Sequence, residues 1–483
     1  MQTGLDNPLD EAIVAAATQV GISTDDERKV DEIPYDFVRK CLSVVSTNGS
    51  GGYTLITKGA LANVVERCDA VETGGGRLRL DATFRTAIAR RHADWSGQGY
   101  RVLGVATKDV DDRTTSYSPA DEQGLAFCGF LLFMDPPKTD VRATVSALGA
   151  RGVGLKIITG DNAEVAKHVA QSVGLPVDGV LTGRQMSELR DEALWHQATR
   201  TTIFAEVDPN QKERIILALQ HMGHVVGYMG DGINDAPALH AADVGLSVDT
   251  AVDVAKEAAD FVLLRKDLDI LCDGIDEGRR TFANTLKYIL TTVSANFGNM
   301  FSMAGASLLL PFLPLLAPQI LLNNFLSDIP AAGIAGDHVD PEWVAKPRRW
   351  DATFIRNYMV LFGLVSSLFD FLTFAVLLVV FRAAPPEFRT GWFLESLLTE
   401  LVIALVVRTR RRFFESRPSP FLLWSSVALM GITLAFPYLP WRAAFSFVPL
   451  PLPLLLSLIG LTVLYVGCTE AAKRYFYSRP GHS

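Results

Sequence analysis

Six long apolar stretches crowd the region after about Leu286: Tyr288–Leu309, Leu313–Ile334, Tyr358–Phe381, Trp392–Val407, Pro420–Phe436 and Leu450–Val466. A bilayer core of about 30 Å needs roughly 20 apolar residues per helix. Inside it the backbone must satisfy its own hydrogen bonds, which favours helices. The pattern predicts an all-α six-helix transmembrane domain over residues 276–483. Trp392–Val407 is the shortest stretch and carries Glu395 and Glu400 within it. Six spans return the chain to its starting side. Lys and Arg number three in 336–351, five in 408–417 and three in the tail from Lys473, against none, two (Arg382, Arg389) and one (Arg442) in the opposite loops. The positive-inside rule therefore places the head, those basic loops and the C-terminus in the cytosol, with a multi-pass domain in lipid between them.

Residues 1–275 read as soluble α/β protein. The net charge of the chain is −8, and the basic residues of the membrane half sit in short loops, so nucleic acid is not an expected partner. The five cysteines, Cys41, Cys68, Cys128, Cys272 and Cys468, lie far apart without a CxxC pair. They fit free thiols in a reducing compartment and no thiolate metal site. The acidic start lacks an apolar core segment, so no signal peptide is expected.

Within the head, His224–Met229 reads as a buried strand, Gly230-Asp231-Gly232 as a sharp turn out of it, and Asp235-Ala236-Pro237 as a helix start. Asp231 and Asp235 thus stand four residues apart at the carboxyl end of a strand, the edge where open α/β sheets bind ligands. Paired acids with few bases nearby suit Mg²⁺ and the phosphate it brings; the plainer alternative is an acidic turn capping a helix. Upstream, the strand Leu155–Ile158 ends in Thr159-Gly160-Asp161-Asn162, followed by a helix over Ala163–Val173. Thr159 and the N–H groups after it can donate to a phosphoryl oxygen. Asp208-Pro209-Asn210-Gln211-Lys212 opens an amphipathic helix with Ile215, Ile216 and Leu219 on one face.

The string Gly230-Asp231-Gly232-Ile233-Asn234-Asp235-Ala236-Pro237 resembles the hinge motif of P-type ATPases, ion pumps built on a haloacid-dehalogenase-like phosphorylation domain. Thr159–Asn162 is similar to the second motif of that fold, and Lys212, lying between the two, resembles its phosphoryl-neutralising lysine. Lys58-Gly59-Ala60 resembles the motif that places a lysine near ATP. Tyr35-Asp36-Phe37-Val38-Arg39 resembles the segment that stacks adenine and contacts phosphate, with Phe37 and Arg39 in those roles; Tyr35 is the alternative ring. Asp135-Pro136-Pro137-Lys138 resembles the hinge between domains.

The resemblance implies a partial nucleotide-binding domain over 1–134, then a phosphorylation domain with a Rossmann-like parallel sheet over 135–275. The third domain, 276–483, would be six helices similar to pump helices five to ten. ATP and Mg²⁺ are the implied cofactors. Thr159, Gly160, Asp161 and Lys212 would act on phosphate, Phe37, Arg39, Lys58 and Gly59 on ATP, and Asp231, Asn234 and Asp235 on catalytic Mg²⁺. The phosphorylated Asp-Lys-Thr-Gly-Thr motif of these pumps occurs nowhere in the sequence. As written, the chain is therefore expected to correspond to the C-terminal part of a pump, unable to form the aspartyl-phosphate alone and partnered by the missing N-terminal half.

Polar residues inside apolar spans are costly and mark functional sites. Asn296 and Asn299 share a face of the first span; Asn323, Asn324, Ser327 and Asp328 precede Pro330 in the second. Asn296, Asn299, Asn324 and Asp328 would offer one carboxylate and three amide oxygens to a transported ion, with Asp370, Glu395 and Glu400 in secondary roles. Bonding between helices is the plainer role for each Asn. Hard oxygen donors disfavour copper and zinc. Asn-Phe-Gly-Asn, Asn-Asn-Phe-Leu-Ser-Asp and Lys346-Pro347-Arg348-Arg349-Trp350-Asp351 resemble the magnesium-importing subfamily of the bacterial plasma membrane. The expectation is ATP-driven Mg²⁺ import. The rivals are a Ca²⁺ or H⁺ pump, a non-catalytic truncated or split membrane subunit, and a membrane-tethered phosphatase.

Overall fold

The computed structural model describes residues 8–22, 27–36, 39–47, 52–110, 116–138, 140–265 and 267–478. By contact it divides into two units, Met1–Ile270 and Leu271–Ser483. Phe37 lies outside the described residues.

The first unit opens with the helix Pro8–Gln19 and a seven-stranded mixed sheet. Its strands are β1 (Arg28–Asp36), β2 (Cys41–Thr47), β3 (Tyr53–Ala60), β4 (Cys68–Thr73), β5 (Gly76–Arg79), β6 (Arg101–Val110) and β7 (Leu125–Phe133). The order is β1-β2-β3-β6-β7-β4-β5. Only β4 and β7 pair in parallel. Along β3 the side chains alternate, Leu55, Thr57 and Gly59 being buried, as a half-covered strand requires. Leu55 joins Ile33, Val45, Val64, Leu125 and Phe127 in one core. The helix Ala82–Gly97 is capped by Asp81, which accepts from Phe84 N at 3.0 Å.

The rest of this unit is parallel. β8 (Ile157–Ile158), β9 (Val180–Thr182) and β10 (Ile203–Ala205) form one ladder in the order β8-β10-β9. β11 (Gly227–Met229), β12 (Val244–Val248) and β13 (Phe261–Leu263) form another. The single parallel sheet expected from the sequence is thus two ladders of strands no longer than five residues. β10 is wholly buried, which explains its unbroken apolar run. Asp208 caps the helix Pro209–His221 in a capping box with Gln211, and Pro209 occupies its first turn.

Four helices of the second unit are long and apolar enough to cross a membrane: Ala352–Val380, Pro385–Val407, Pro420–Tyr438 and Leu452–Tyr477. The other two expected spans are helical but do not meet that standard. Tyr288–Leu309 is the end of the 41-residue helix Asp269–Leu309, diluted by Asn296, Asn299, Ser294 and Ser302. Leu313–Ile334 shrinks to the 16-residue helix Ala317–Ala332, about 24 Å of rise. Pro311 and Pro314 precede it, and Gly333–Gly336 is a 3₁₀ turn. Pro385–Val407 is the central helix, 83% buried over its apolar window against 28–39% for the other three.

Asp337 ties the loop ends together. It is buried and accepts from Lys287 Nζ at 2.8 Å, Arg408 Nη1 at 2.9 Å and Ser419 N at 2.9 Å.

Candidate active site and cation path

At the end of β11 the chain turns through Gly230, where an added Cβ would lie 2.4 Å from the Asp235 Cβ. Only glycine lets the turn fold back this tightly. Asp235 is buried and fully engaged. One oxygen accepts from Lys212 Nζ and Tyr228 OH, each at 2.7 Å, and the other from Gly232 N at 3.0 Å. Burial pushes the Asp235 carboxyl up, but the Lys212 ammonium, the Tyr228 hydroxyl and the Gly232 N–H together hold it below the usual carboxylate range. Burial and the same carboxylate push the Tyr228 hydroxyl up. Asp231 stands exposed at this edge with Asn234 half-buried beside it. The two expected carboxylates therefore differ in setting: Asp235 is buried and hydrogen-bonded through both oxygens, whereas Asp231 is open to solvent.

The segment Thr159–Asn162 leaves β8 toward the same kind of edge. Thr159 Oγ1 donates to Asp161 Oδ2 at 3.2 Å and accepts from Asp161 N at 3.0 Å. Asn162 caps the next helix through Val165 N at 2.9 Å, while its amide nitrogen reaches Ser96 Oγ at 3.0 Å. Glu206 N donates to Asp161 O, and Glu206 holds a left-handed φ of 59° just before the helix bearing Lys212. Lys212 and Asp235 meet directly; Thr159, Gly160 and Asp161 stand at the carboxyl end of β8 in the other ladder.

In the seven-stranded sheet, Lys58 pairs with Asp10 of the first helix, and burial lowers the pKa of its ammonium. Gly59 is a packing glycine, because an added Cβ would sit 2.4 Å from Lys40 O. Arg39 turns inward: it donates to Glu122 and, at 2.6 Å, to Pro34 O. Tyr35, the alternative ring, is exposed. Burial raises its hydroxyl pKa and the Arg101 charge opposes that rise, so Arg101 lies nearby.

In the second unit a cavity of about 360 Å³ is lined by Asn296, Asn299, Asn323, Asn324, Trp392 and Ser396, among others. Glu400 accepts from the amide nitrogens of Asn299 and, at 3.2 Å, Asn323. Asn323 Oδ1 is buried without a partner. Three of the four expected ligands share the cavity wall; Asp328 is exposed on the same helix and is not part of it. Asp370, also buried, accepts from Ser302 Oγ at 2.6 Å and Trp392 Nε1 at 2.7 Å.

Residues 2–140 match the family model described as P-type ATPase, cytoplasmic domain N, and residues 312–475 match cation transporting ATPase, C-terminus. The P-type 1 magnesium-transporting ATPases of Salmonella typhimurium and Escherichia coli are 42% identical over 99% of this chain. The chain belongs to the P-type cation-transporting ATPases. It spans 54% of the length of those relatives. A calcium-transporting ATPase of Bacillus subtilis is 30% identical over 89% of this chain and 50% of its own length.

Seen as a P-type ATPase, the chain has site-forming residues that sequence reasoning passed over. Tyr228 lies in the middle of the strand Gly227–Met229 and looks like core, yet it bonds the motif carboxylate seven residues on. Glu122 is wholly buried, accepting from Ser43 Oγ at 2.7 Å and from Arg39. Its only signal is an acid just before an apolar strand. Asn323 was read as part of the polar run but not as a ligand, and Glu400 as secondary.

Proposed function

We propose that this chain supplies the nucleotide-handling head and much of the cation path of a magnesium-transporting pump, importing Mg²⁺ across a bacterial plasma membrane at the expense of ATP. The partition is 1–134 for nucleotide, 135–275 for a dehalogenase-like phosphorylation domain and 276–483 for six membrane helices, with head, basic loops and C-terminus in the cytosol. The observation that carries the reading is the Lys212–Asp235–Tyr228 network, which fixes the turn so that Asp231 stays free at the carboxyl end of a parallel strand. The 42% identity to magnesium transporters, against 30% to a calcium transporter, favours Mg²⁺ as cargo.

Among the described residues no three His, Cys, Asp or Glu gather into a ready metal cage. A catalytic Mg²⁺ needs none, because it keeps waters and binds through one or two carboxylates plus phosphate. Asp231 and Asn234 fit that donor set. When bound, the ion would neutralise phosphate charge. Lys212, held in place by Asp235, adds a fixed positive charge, and Thr159 with the N–H of Gly160 offers donors to phosphoryl oxygens. Such positioning and neutralisation carry most of phosphoryl-transfer catalysis. Lys58 and Tyr35, with Arg39 supporting the sheet edge, face the nucleotide. In the second unit Glu400 and the amide oxygens of Asn296, Asn299, Asn323 and Asn324 supply hard donors for the transported ion, and Asp328 extends the path beyond the cavity.

The test joins this chain to the N-terminal portion of a magnesium-transporting relative that it does not cover, and measures cation-stimulated ATPase and uptake in proteoliposomes. Stimulation by Mg²⁺, lost in Asp231→Asn and reduced in Asp328→Ala, is the expected result. Stimulation by Ca²⁺ instead, or uptake indifferent to Asp231, overturns the assignment.

A further inference from the structure

Two guanidinium groups in the second unit lie over one buried indole with no acid to balance them. Arg348 Cζ is 4.4 Å from the ring centroid of Trp343 and Arg410 Cζ is 4.5 Å from it; Arg410 also lies 4.8 Å from the Tyr477 ring. Stacking on aromatic rings suits arginine, whose planar cation is weakly hydrated. It does not neutralise charge. Among the described residues no carboxylate forms an ion pair with either arginine. Of the nearby acids, Glu342 pairs with Arg411, Asp340 accepts from Thr409 and Ser416, and Asp337 pairs with Lys287 and Arg408; Glu470 pairs with Lys473 through Oε1, while its Oε2 is buried without a partner.

Unmet hydrogen-bond donors accompany this uncompensated charge. Nε of Arg348, Nε of Arg410 and Nε1 of Trp343 are all buried without a partner, and Trp343 as a whole is 4% exposed. Burial and then the Arg410 charge lower the pKa of the Arg348 guanidinium, as expected for like charges held together without an anion. Buried donors of this kind are ordinarily satisfied. Beside this stack lies a cavity of about 230 Å³, lined by Arg348, Trp343, Lys346, Arg279, Phe282 and Pro347, with Ile275 and Gly278; Arg410 backs it from behind Trp343 without lining it. Three of the lining residues are cationic.

We propose that this pocket binds a phosphate group, carried either by an anionic phospholipid headgroup or by free phosphate. The guanidinium and ammonium groups of Arg348, Arg279 and Lys346 match phosphate oxygens as charge-assisted donors. The pocket lies where helices end. Phe282 and Arg279 come from the start of the helix Asp269–Leu309, Trp343 from the loop between apolar segments, and Arg410 and Tyr477 from just past Pro385–Val407 and the end of Leu452–Tyr477. Trp350 and Phe414 are exposed in the same loops, and aromatic rings of this kind favour the headgroup level of a bilayer. Basic pockets between helix ends are suited to phospholipid headgroups. The inference rests on the helices lying in a membrane and not on the nature of the transported cation.

The experiment uses the full 483-residue chain purified in neutral detergent. Phosphatidylglycerol, phosphatidylcholine and inorganic phosphate are titrated separately, and retained lipid is read by native mass spectrometry with the melting temperature in parallel. Wild type should retain phosphatidylglycerol over phosphatidylcholine, and Arg348→Gln should weaken that retention about fivefold or more while melting unchanged in phosphatidylcholine. Lys346→Gln, at an exposed position, gives a smaller loss in the same direction and serves if Arg348→Gln does not fold. A stabilisation by millimolar inorganic phosphate that Arg348→Gln abolishes, without lipid preference, keeps the site and assigns it to free phosphate. Equal retention of both lipids with no effect of phosphate overturns the proposal, as does binding that is identical in wild type and both variants.

Discussion

Lys212 Nζ lies 2.7 Å from Asp235 Oδ1, joining the first turn of the helix Pro209–His221 to the turn after β11 across 23 residues of sequence. Both side chains are largely removed from solvent, and Tyr228 and Gly232 complete the coordination of the carboxylate. The pair orders the site from within and leaves Asp231 outside it.

Asp235 should make stability depend on acid. Its folded-state carboxyl sits below its ordinary value because the donors around it outweigh burial. The contribution is therefore complete above the unfolded pKa of about 4, and is lost as pH falls through the lower folded value. Denaturant melts of the chain from pH 7 to pH 3 should show this loss for wild type and a flatter acid limb for Asp235→Asn. Asp235→Ala, which strands Lys212, should lose about 3–5 kcal/mol at neutral pH. Parallel acid limbs for wild type and Asp235→Asn would remove the pair from the stability of the site.

Gly230→Ala tests the turn by shape alone. The new methyl would meet the Asp235 Cβ at 2.4 Å and its carboxyl carbon at 2.7 Å, contacts no rotamer can relieve. A loss of about 1–3 kcal/mol is expected, together with weaker nucleotide-dependent Mg²⁺ binding by calorimetry. Gly154→Ala, where nothing lies within 4 Å, is the control and should show no steric loss.

What the sequence revealed and what it hid follow from the range of the interactions. The strand, glycine turn and helix start around Asp231 were legible because each depends on neighbours a few residues away. So were the helix starts after Asn162 and Asp208, where each cap joins an acceptor to a donor three residues on. Bonds such as Glu122 to Ser43, 79 residues apart, or Asn323 to Glu400, 77 apart, leave no periodic trace. The helix Pro385–Val407 is instructive. Glu395 and Glu400 made it look the weakest span, yet it is the most enclosed. A helix surrounded by other helices has few lipid-facing positions to fill, so it can carry carboxyls that its neighbours satisfy.

Asp337 offers a separate test of the loop architecture. Its carboxyl is the shared partner of the buried Lys287 and Arg408. Asp337→Ala leaves both cations without it and should lose about 3–5 kcal/mol, visible as a large drop in melting temperature in detergent. Substituting Glu342, whose partner Arg411 is exposed, removes a solvent-screened surface pair and should leave the melting temperature nearly unchanged. Equal losses at the two positions would contradict the assigned burial.

Glu400 decides whether the cavity is a cation site or only a polar seam between helices. Its oxygens accept from Asn299 and Asn323, and Asn323 Oδ1 faces no protein partner. A seam needs hydrogen-bonding capacity alone, so Glu400→Gln should then behave like wild type. A cation site needs the negative charge as well. A ligand that binds only the folded state raises stability as RT ln(1 + [L]/Kd), so Mg²⁺ should raise the melting temperature of wild type in a concentration-dependent way. Glu400→Gln should keep the starting melting temperature nearly unchanged and lose most of the Mg²⁺-dependent rise. Asp328→Ala, outside the cavity wall, should keep most of it. If Glu400→Gln responds to Mg²⁺ as wild type does, the cavity amides belong to packing and the path for the ion runs elsewhere.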